Sequence, residues 1–564
     1  MDESMLQNLE SCSENEFVSA VQEFNKEHAQ SFSFPDFDMS VKKQLVSLLF
    51  CRMALSPATR LASLETVRIL SRDKIDLEGL FTRETMGQLV NMAGLVAEEE
   101  EIMNQCSRVS DPKVIVEAQK CLCNLIYNSS FAQRTCCYNG CIEGILLRLR
   151  TYKDPKIPHE VKFFDMRMLF LLTALCAEIR PKVRCQLHGL TYLMEVLDLI
   201  LKDNLSQGNT SACRRIFSKG SRRGRSNQES CNAPCLRDEE VDTACEVLKV
   251  LFNLTVTTDK YGLDEEEEAH YMRLVSILHD IILCDTKTPE KKEDLLSHTI
   301  DLLTNMPMSS YEELMTPVVK KDDKNTNVFD GMDLEAINIL LAFLEKRLDK
   351  PHKTYKEILS PVLTTLSECA RANSVIRKYL KKKVLPPLKD VMNRPEEGTT
   401  LRNRLVKLMT SPVFDVKELV ADLLFVLCKE NVGRLIKYTG YGNAAGLLAN
   451  RGLMLGGKGD TNYSSDSEDS DTEEYLRFKD KINPVLGCYQ EPAPNPMEGM
   501  TEEQKEYEAM QLVNMMDRMS SCSFILCRDG LIQPMRVGED GRPEAVEHIL
   551  QLQEAILDSN RMNR

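Results

Sequence analysis

The chain has 564 residues, which is more than one compact core accommodates, so several domains or an extended array are expected. Its 71 Lys and Arg stand against 86 Asp and Glu, and the resulting net charge of −15 argues against a nucleic-acid-binding protein. No apolar stretch has the length of a membrane-spanning helix, and the 20 cysteines fall mostly in apolar helical runs typical of a reducing compartment. We therefore expect a cytoplasmic protein without an integral membrane segment.

Helical periodicity runs through most of the chain, and strand signals are scarce. Apolar residues recur at the 3.6-residue spacing of an α-helix from V-K-K-Q-L-V-S-L-L-F to D-V-K-E-L-V-A-D-L-L-F-V-L. Three helical phrases resemble one another, because each places one Asn among apolar residues. They are A-Q-K-C-L-C-N-L-I-Y-N at Asn124, C-E-V-L-K-V-L-F-N-L-T at Asn253 and T-I-D-L-L-T-N-M-P at Asn305. Such repetition is the sequence signature of a helical solenoid, a class that mostly binds other molecules.

The spacing of these phrases is close to that of known helical repeats. Asn253 and Asn305 are 52 residues apart, slightly more than the roughly 40–47 residues of an armadillo or HEAT repeat. Leu171 matches the same position, and the 82 residues between it and Asn253 fit one repeat plus an insertion. Residues 206–236 supply that insertion, and their Ser, Gly and Arg content predicts disorder. We predict an all-α, armadillo/HEAT-like superhelical solenoid over residues 1–449.

A row of cations accompanies the Asn positions. A polar amide on an apolar helix is costly unless a ligand takes up its hydrogen bonds, so the Asn side chains are predicted to line a groove. A basic residue often stands four positions earlier, and therefore on the same helix face. The predicted groove residues are Arg68, Arg72, Lys120, Asn124, Arg167, Lys249, Asn253 and Asn305. Such a groove suits a peptide segment that ends in a carboxylate, whereas the alternative is a plain solvated face.

Composition changes after the predicted solenoid. Residues 450–500 are rich in Gly, then acidic, then rich in Pro, which predicts a disordered linker. Residues 501–519 begin with the capping box T-E-E-Q and continue as an amphipathic helix, whose partner is either the solenoid or another protein. Residues 520–564 are interpreted as a variable tail.

The acidic linker contains two candidate phosphorylation sites. Ser465 and Ser470 each have a Glu three residues later, which suits an acidophilic kinase such as casein kinase II. A phosphorylated tract needs a cationic receptor. The candidate receptor residues are Arg377, Lys381, Arg402 and Arg404. The alternative is an unmodified, solvated linker.

Several long runs of the sequence resemble one family. They include P-H-E-V-K-F-F-D-M-R-M-L-F-L-L-T-A-L at 158–175, I-K-Y-T-G-Y-G-N-A-A-G-L-L-A at 436–449 and N-P-M-E-G-M-T-E-E-Q-K at 495–505. These runs are similar to the synembryn family, and the last is typical of its A branch. The matches cover about residues 32–535, whereas residues 206–230 and 520–530 depart from the family pattern.

The resemblance implies a cytoplasmic armadillo/HEAT-like protein that binds GDP-bound or nucleotide-free α subunits of G proteins. Members act as folding chaperones and non-receptor guanine-nucleotide exchange factors, with recruitment to the plasma-membrane cortex through the partner. The resemblance further implies a groove for the α subunit's C-terminal helix, formed by Arg68, Arg72, Asn124 and Phe164. It also assigns phosphorylation to Ser465 and Ser470, with Arg377 and Lys381 as their receptor.

A mechanism of exchange follows without any covalent chemistry by the chain itself, so we do not expect an enzyme. A protein that prefers the empty form of its partner weakens the partner's nucleotide affinity by the same factor. The run G-L-M-L-G-G-K-G at 452–459 has the spacing of a phosphate-binding loop, but Gly459 stands where a Ser or Thr is required and no strand precedes it. We therefore expect neither a cofactor nor a metal, and we expect a monomer. The alternative function is a passive adaptor or transport receptor for peptide cargo.

Overall fold

The computed structural model describes residues 3–35, 37–75, 77–95, 111–206, 235–256, 262–318, 327–350, 354–459, 463, 471–491, 499–521, 535–538, 540 and 542–545. These residues are mainly α-helical, and their strands are only two or three residues long. The chain divides into two compact units, Met1–Leu314 and Met315–Arg564. The predicted all-α fold class is confirmed.

The first unit contains thirteen described helices. They are α1 (Glu3–Ser11), α2 (Glu14–Glu27), α3 (Met39–Arg52), α4 (Pro57–Leu70), α5 (Arg83–Met92), α6 (Pro112–Asn128), α7 (Ser130–Tyr138), α8 (Cys141–Leu149), α9 (His159–Leu175), α10 (Gly189–Ser206), α11 (Asp238–Thr255), α12 (Glu265–Leu283) and α13 (Pro289–Leu303). Short strands β1 (Cys235–Leu236) and β2 (Asp285–Thr286) pair in parallel. Short 3₁₀ or π segments occupy Ala177–Ile179, Lys182–Gln186 and Met308–Leu314.

Helix starts in this unit follow from local sequence. α4 begins at Pro57, and the Ser56 hydroxyl before it accepts a hydrogen bond from the Thr59 backbone N–H. Helix α13 repeats this arrangement with Thr288 and Pro289. Proline suits the first helical position because the N–H it lacks would have no partner there, and the hydroxyl satisfies another free N–H.

Five helices of the first unit, α4, α6, α9, α11 and α13, stack so that each contacts the next. We call them the ladder helices. Their core positions recur every three or four residues, as with Leu64 and Val67 in α4 or Leu122 and Leu125 in α6, all fully buried. Repeated helical layers of this kind form a solenoid, which confirms the predicted repeat architecture.

The second unit repeats the helical layering. Its helices are α14 (Glu335–Leu348), α15 (Tyr355–Ala372), α16 (Ser374–Val384), α17 (Leu401–Leu408), α18 (Phe414–Leu427), α19 (Val432–Thr439), α20 (Tyr441–Asn450), α21 (Glu473–Phe478) and α22 (Glu502–Ser521). Helix α15 packs between α14 and α18, and α16 and α17 pack on α18. The antiparallel strands are β3 (Thr316–Pro317), β4 (Val328–Phe329), β5 (Met332–Asp333), β6 (Ile482–Asn483), β7 (Cys488–Tyr489), β8 (Met535–Val537) and β9 (Pro543–Ala545).

Several predicted segments lie wholly or partly outside the described residues. Of the insertion predicted at 206–236, only Ser206 and the strand β1 are described. Within the predicted linker, 471–491 contains α21 and the β6–β7 pair. At the start of α22, Gln504 N–H donates to the Thr501 hydroxyl at 3.3 Å and Thr501 N–H donates to Gln504 Oε1 at 3.1 Å, which is the predicted capping box. No helix among the described residues is long and apolar enough to cross a membrane.

Candidate functional site

The amide nitrogens of the three repeated Asn residues bind the preceding ladder helix. Asn124 Nδ2 donates to the Arg68 carbonyl at 3.1 Å and to the Ser71 hydroxyl at 3.2 Å. Asn253 Nδ2 donates to the Thr173 hydroxyl at 3.1 Å. Asn305 repeats the pattern one layer later, on the Phe252 carbonyl and the Thr255 hydroxyl, both at 3.1 Å.

These bonds differ from the sequence-based expectation that a ligand satisfies the amide hydrogens. A carbonyl and a hydroxyl three residues later lie on one helix face, so each Asn finds two acceptors in the adjacent layer. The described residues supply no donor to the Oδ1 atoms of Asn124, Asn253 and Asn305, and none of these oxygens is fully buried. The amides therefore tie layers together through nitrogen, and the Asn253 and Asn305 side chains are buried, at 8% and 9% exposed.

Two buried glutamates organise the predicted cation row. Glu117 accepts from Arg68 of the preceding ladder helix, and it lies 3.5 Å from Lys120 Nζ on its own helix. Glu246 lies 3.1 Å from Arg167 and 2.6 Å from Lys249 in the same arrangement. The glutamate side chains are 8% and 7% exposed, whereas the four cations are between 21% and 41% exposed. The carboxylates thus lie beneath the cations and hold their heads toward solvent.

Sequence reasoning missed both glutamates, although their signal was legible. The phrase E-x-x-K-x-x-x-N occurs at Glu117–Asn124 and again at Glu246–Asn253. A Glu on a helix is ordinarily solvated, so the sequence offered no reason to expect that Glu117 and Glu246 are buried beneath cations. Two carboxylates against four cations leave two positive charges on this surface, in a chain whose net charge is −15.

Two aromatic rings complete the surface. The Lys120 ammonium lies 5.6 Å from the ring centre of Phe164, which brings that predicted residue beside the cation row. Phe170 was not predicted, yet both Lys249 and Arg167 lie over its ring, at 4.6 and 5.6 Å. Cation–π contacts fix the cations laterally without neutralising their charge. The arrangement can therefore bind an anionic group with little reorganisation.

Arg72 is placed differently from the expectation. Helix α4 ends at Leu70, so Arg72 does not share a helical face with Arg68. Its Nη1 donates to the Ala29 carbonyl at 2.7 Å, and its guanidinium lies 5.4 Å from the ring centre of Phe32. Burial and then the positive charge of Arg68 lower the pKa of Arg72. Arg72 thus fastens the α2–α3 connection beside the row.

The ladder helices do not all carry the repeated Asn at the same position. Leu171 occupies the matching position in α9 and is buried as a core residue. Asn305 lies just beyond the end of α13 rather than within it. The ladder therefore has three Asn ties. Between α6 and α9, the buried Gln119 amide nitrogen instead donates to the Val161 carbonyl at 3.1 Å and to Asp165 Oδ1 at 2.7 Å.

In the second unit, the predicted phosphate receptor is a buried site below Tyr463. Arg377 and Lys381 lie in α16, one turn apart, and both are buried. Arg377 Nη1 donates to the Ala370 carbonyl at 2.8 Å, and its guanidinium lies 4.5 Å from the Tyr463 ring centre. The Tyr463 hydroxyl donates to Glu430 at 3.2 Å. Ser465 and Ser470 lie outside the described residues.

The acidic tract is held at its other end as well. Asp471 pairs with Lys437 at 2.6 Å and with Lys479 at 3.6 Å, and the Thr472 hydroxyl donates to the Leu388 carbonyl. The hydrogen bond from Lys437 lowers the pKa of Asp471, so its carboxylate is ionised at neutral pH.

The remaining two receptor candidates make other contacts. Arg404 pairs with Asp349 at 2.6 Å. Burial lowers the pKa of Arg402, and the charge of Asp390 opposes that effect. The structure therefore places Arg377 at the start of the acidic tract and gives Arg404 a carboxylate partner of its own.

Comparison with known proteins gives a consistent result. Residues 63–542 match the family model described as "Ric8: Guanine nucleotide exchange factor synembryn". The chain is 43% identical to "Chaperone Ric-8A" of Gallus gallus and to that of Danio rerio, in each case over 96% of this chain and 95% of the relative. It is 42% identical to the Rattus norvegicus protein of the same name, over 98% of this chain and 96% of the relative.

Proposed function

The chain belongs to the synembryn family of guanine nucleotide exchange factors, and we propose that it serves heterotrimeric G-protein α subunits as chaperone and non-receptor exchange factor. It binds the nucleotide-free α subunit and performs no covalent chemistry of its own. It acts in the cytoplasm and reaches the membrane cortex through its partner.

One observation carries the proposed binding mode. On the ladder helices, the Arg68–Lys120 and Arg167–Lys249 cation pairs rest on buried carboxylates and remain partly exposed. The partly exposed Asn124 amide stands one turn further along α6. A helix that ends in a carboxylate presents the complementary groups, because anions bind preorganised cations strongly. We therefore assign this surface to the α subunit's C-terminal helix.

Exchange then follows from linkage. The terminal helix contributes to the folded α subunit's own core, and a protein that holds this helix stabilises the form in which it is withdrawn. If that form binds nucleotide weakly, the chain and the nucleotide each reduce the other's affinity by one common factor. The same grip stabilises an α subunit that has not finished folding, which unites the exchange and chaperone activities.

The binding mode is tested by calorimetry with a synthetic peptide that reproduces the carboxyl-terminal residues of an α subunit. Lys120→Glu places a carboxylate beside Glu117 on the proposed peptide surface, so the affinity should fall about tenfold or more, because one charge-assisted contact contributes roughly 1.5–3 kcal/mol. Arg83→Glu is the control, since Arg83 is an exposed cation of α5 outside the ladder. Unchanged affinity in Lys120→Glu would refute the assignment of this surface.

We further propose that an acidophilic kinase phosphorylates Ser465 and Ser470 and that the phosphates strengthen docking of the tract. Ser465 follows Tyr463 by two residues, which limits its distance to about 7 Å along the chain, and Tyr463 lies on Arg377. Ser470 directly precedes Asp471, which is paired with Lys437. Each serine is therefore within reach of a cation that already holds the tract.

A further inference from the structure

Tyr475 differs from the other tyrosines of the chain in the residues that precede it. Of the 15 tyrosines, it alone has an acidic residue at both of the two preceding positions, in the run D-T-E-E-Y. Asp471 adds a third carboxylate four residues before it. An enzyme whose substrate groove is basic selects such a tyrosine over the other fourteen, because charge complementarity decides between sites of otherwise similar chemistry.

The Tyr475 side chain is accessible to such an enzyme. It lies in α21, a six-residue helix without a buried residue, and it is itself only half-buried. Within the described part of the chain its hydroxyl makes no hydrogen bond. A helix this short is not stable alone. Local opening of α21 therefore has a small free-energy cost and presents the tyrosine on an extended segment.

A cation of the neighbouring helix holds α21 in its closed position. Lys437 of α19 lies 2.6 Å from the Asp471 carboxylate and 4.8 Å from the ring centre of Tyr475. Its side chain is only 13% exposed, so the ammonium has a fixed place. The Thr472 hydroxyl adds a hydrogen bond to the Leu388 carbonyl. The tyrosine with the acidic run thus packs on a positive charge.

The charges around α21 decide what a phosphate on Tyr475 would do. The charged residues of 471–479 belong to the same segment and stay near the tyrosine when α21 opens. Lys389 and Asp390, which follow Leu388, have opposite charges and largely cancel. Lys437 is therefore the main charge that Tyr475 leaves behind on opening. A phosphate carries about −1.5 to −2 charges at pH 7, so its attraction to Lys437 favours the closed position.

We infer that Tyr475 is a phosphorylation site for a tyrosine kinase with a basic substrate groove, and that the phosphate holds α21 closed on Lys437. The kinase transfers the γ-phosphoryl group of ATP to the phenolic oxygen, the phenolic proton is released, and ADP is the leaving group. This site differs in chemistry and in enzyme class from the two proposed serine sites. It does not depend on the proposed function, because no partner protein takes part.

The test uses the full chain, ATP and a purified tyrosine kinase domain that prefers acidic residues before the tyrosine. Mass spectrometry locates the phosphate, and amide hydrogen exchange compares the modified and unmodified chains. We expect phosphate on Tyr475 well before Tyr507, which has Glu506 but then Lys505 in front of it. Exchange in α21 should slow by about two- to fivefold, the size expected for one partly exposed phosphate–ammonium pair, and exchange in α22 should not change.

Two variants test whether Lys437 is the receptor. Lys437→Met keeps the length of the side chain and removes its charge, so Tyr475 should still be phosphorylated, whereas the slower exchange in α21 should disappear. Asp471→Asn is the matched control, because it breaks the same Asp471–Lys437 pair and leaves the cation in place. Phosphorylation of Asp471→Asn should slow exchange at least as much as in the wild type. Exchange in α19 checks that both variants remain folded.

The contrary results are distinct. Phosphate on other tyrosines with none on Tyr475 would overturn the site. Phosphorylated Tyr475 with unchanged or faster exchange in α21 would overturn the closing role. Slower exchange that persists in Lys437→Met would show that another cation binds the phosphate, which overturns the assigned receptor. Because the α subunit is absent from every arm, none of these results bears on the proposed function.

Discussion

At the scale of single residues, the repeated asparagines have a structural task that is separate from binding. The Asn124 amide nitrogen reaches both the Arg68 carbonyl and the Ser71 hydroxyl of the preceding layer. A substitution there removes two interlayer hydrogen bonds, and it also removes the open oxygen. Loss of partner binding in such a variant is therefore not sufficient evidence of direct contact.

We predict that Asn124→Ala lowers the free energy of unfolding by about 1–2 kcal/mol, since two acceptors in the preceding layer lose their donor. Amide hydrogen exchange should accelerate in α4 and α6, because opening of these two layers becomes easier. Asn91→Ala in α5 is the control, as Asn91 is exposed. Exchange rates in α4 and α6 that match those of the wild type would show that the amide ties do not stabilise the ladder.

Residue-level prediction from sequence succeeded where the signal was local. The Asn positions and the accompanying cations were legible in repeated phrases, and the structure brings Lys120 beside Phe164. The acceptors of the Asn amide hydrogens lie on a helix 50 to 80 residues earlier in the sequence, so no local pattern reveals them. The prediction that Arg72 shares a helix face with Arg68 was wrong for a related reason, because α4 ends at Leu70.

At the scale of elements, the acidic tract is anchored at two points before any phosphate is added. Tyr463 rests on Arg377 and donates to Glu430, and Asp471 pairs with Lys437. These anchors hold both ends of the tract against the second unit. Phosphates on the intervening serines would then strengthen an existing placement at a smaller cost in chain entropy.

We predict that Tyr463→Ala increases the rate at which a protease cleaves the tract and removes most of the protection gained on phosphorylation. Tyr463→Phe is the matched control, since it keeps the ring over Arg377 and loses only the bond to Glu430. Combining Tyr463→Ala with Ser465→Ala should add little, because both act through one docking event. If the losses of protection in Tyr463→Ala and Ser465→Ala simply add in the double variant, the phosphate receptor lies elsewhere.

An element could be predicted from sequence when its pattern is local and not when it is held by contacts with distant residues. Helices with strong periodicity were predicted correctly, because their buried residues recur every three or four positions in the local sequence. Residues 471–491 were expected to form linker, since their α21 turn and the β6–β7 pair are short. Their contacts with Leu388 and Lys437 come from distant sequence, which composition does not reveal.

At the scale of the whole molecule, repetition made the fold class predictable. Similar phrases at similar spacing indicated stacked helical layers, and the chain of contacts from α4 to α13 has that form. The division into two units after Leu314 was not foreseen, because helical periodicity continues on both sides of it. Function was predictable chiefly from the family-specific runs, whereas the groove chemistry alone left a passive adaptor as an alternative.

The central claim is that the chain favours the nucleotide-free α subunit, and the rate of GDP release tests it most directly. Purified α subunit loaded with labelled GDP is mixed with increasing amounts of the full chain, and release is followed over time. We predict a release rate that rises with chain concentration and saturates, together with a complex that excess GDP dissociates, as linkage requires. A complex that forms while the release rate stays at its basal value would contradict the account and identify a passive adaptor.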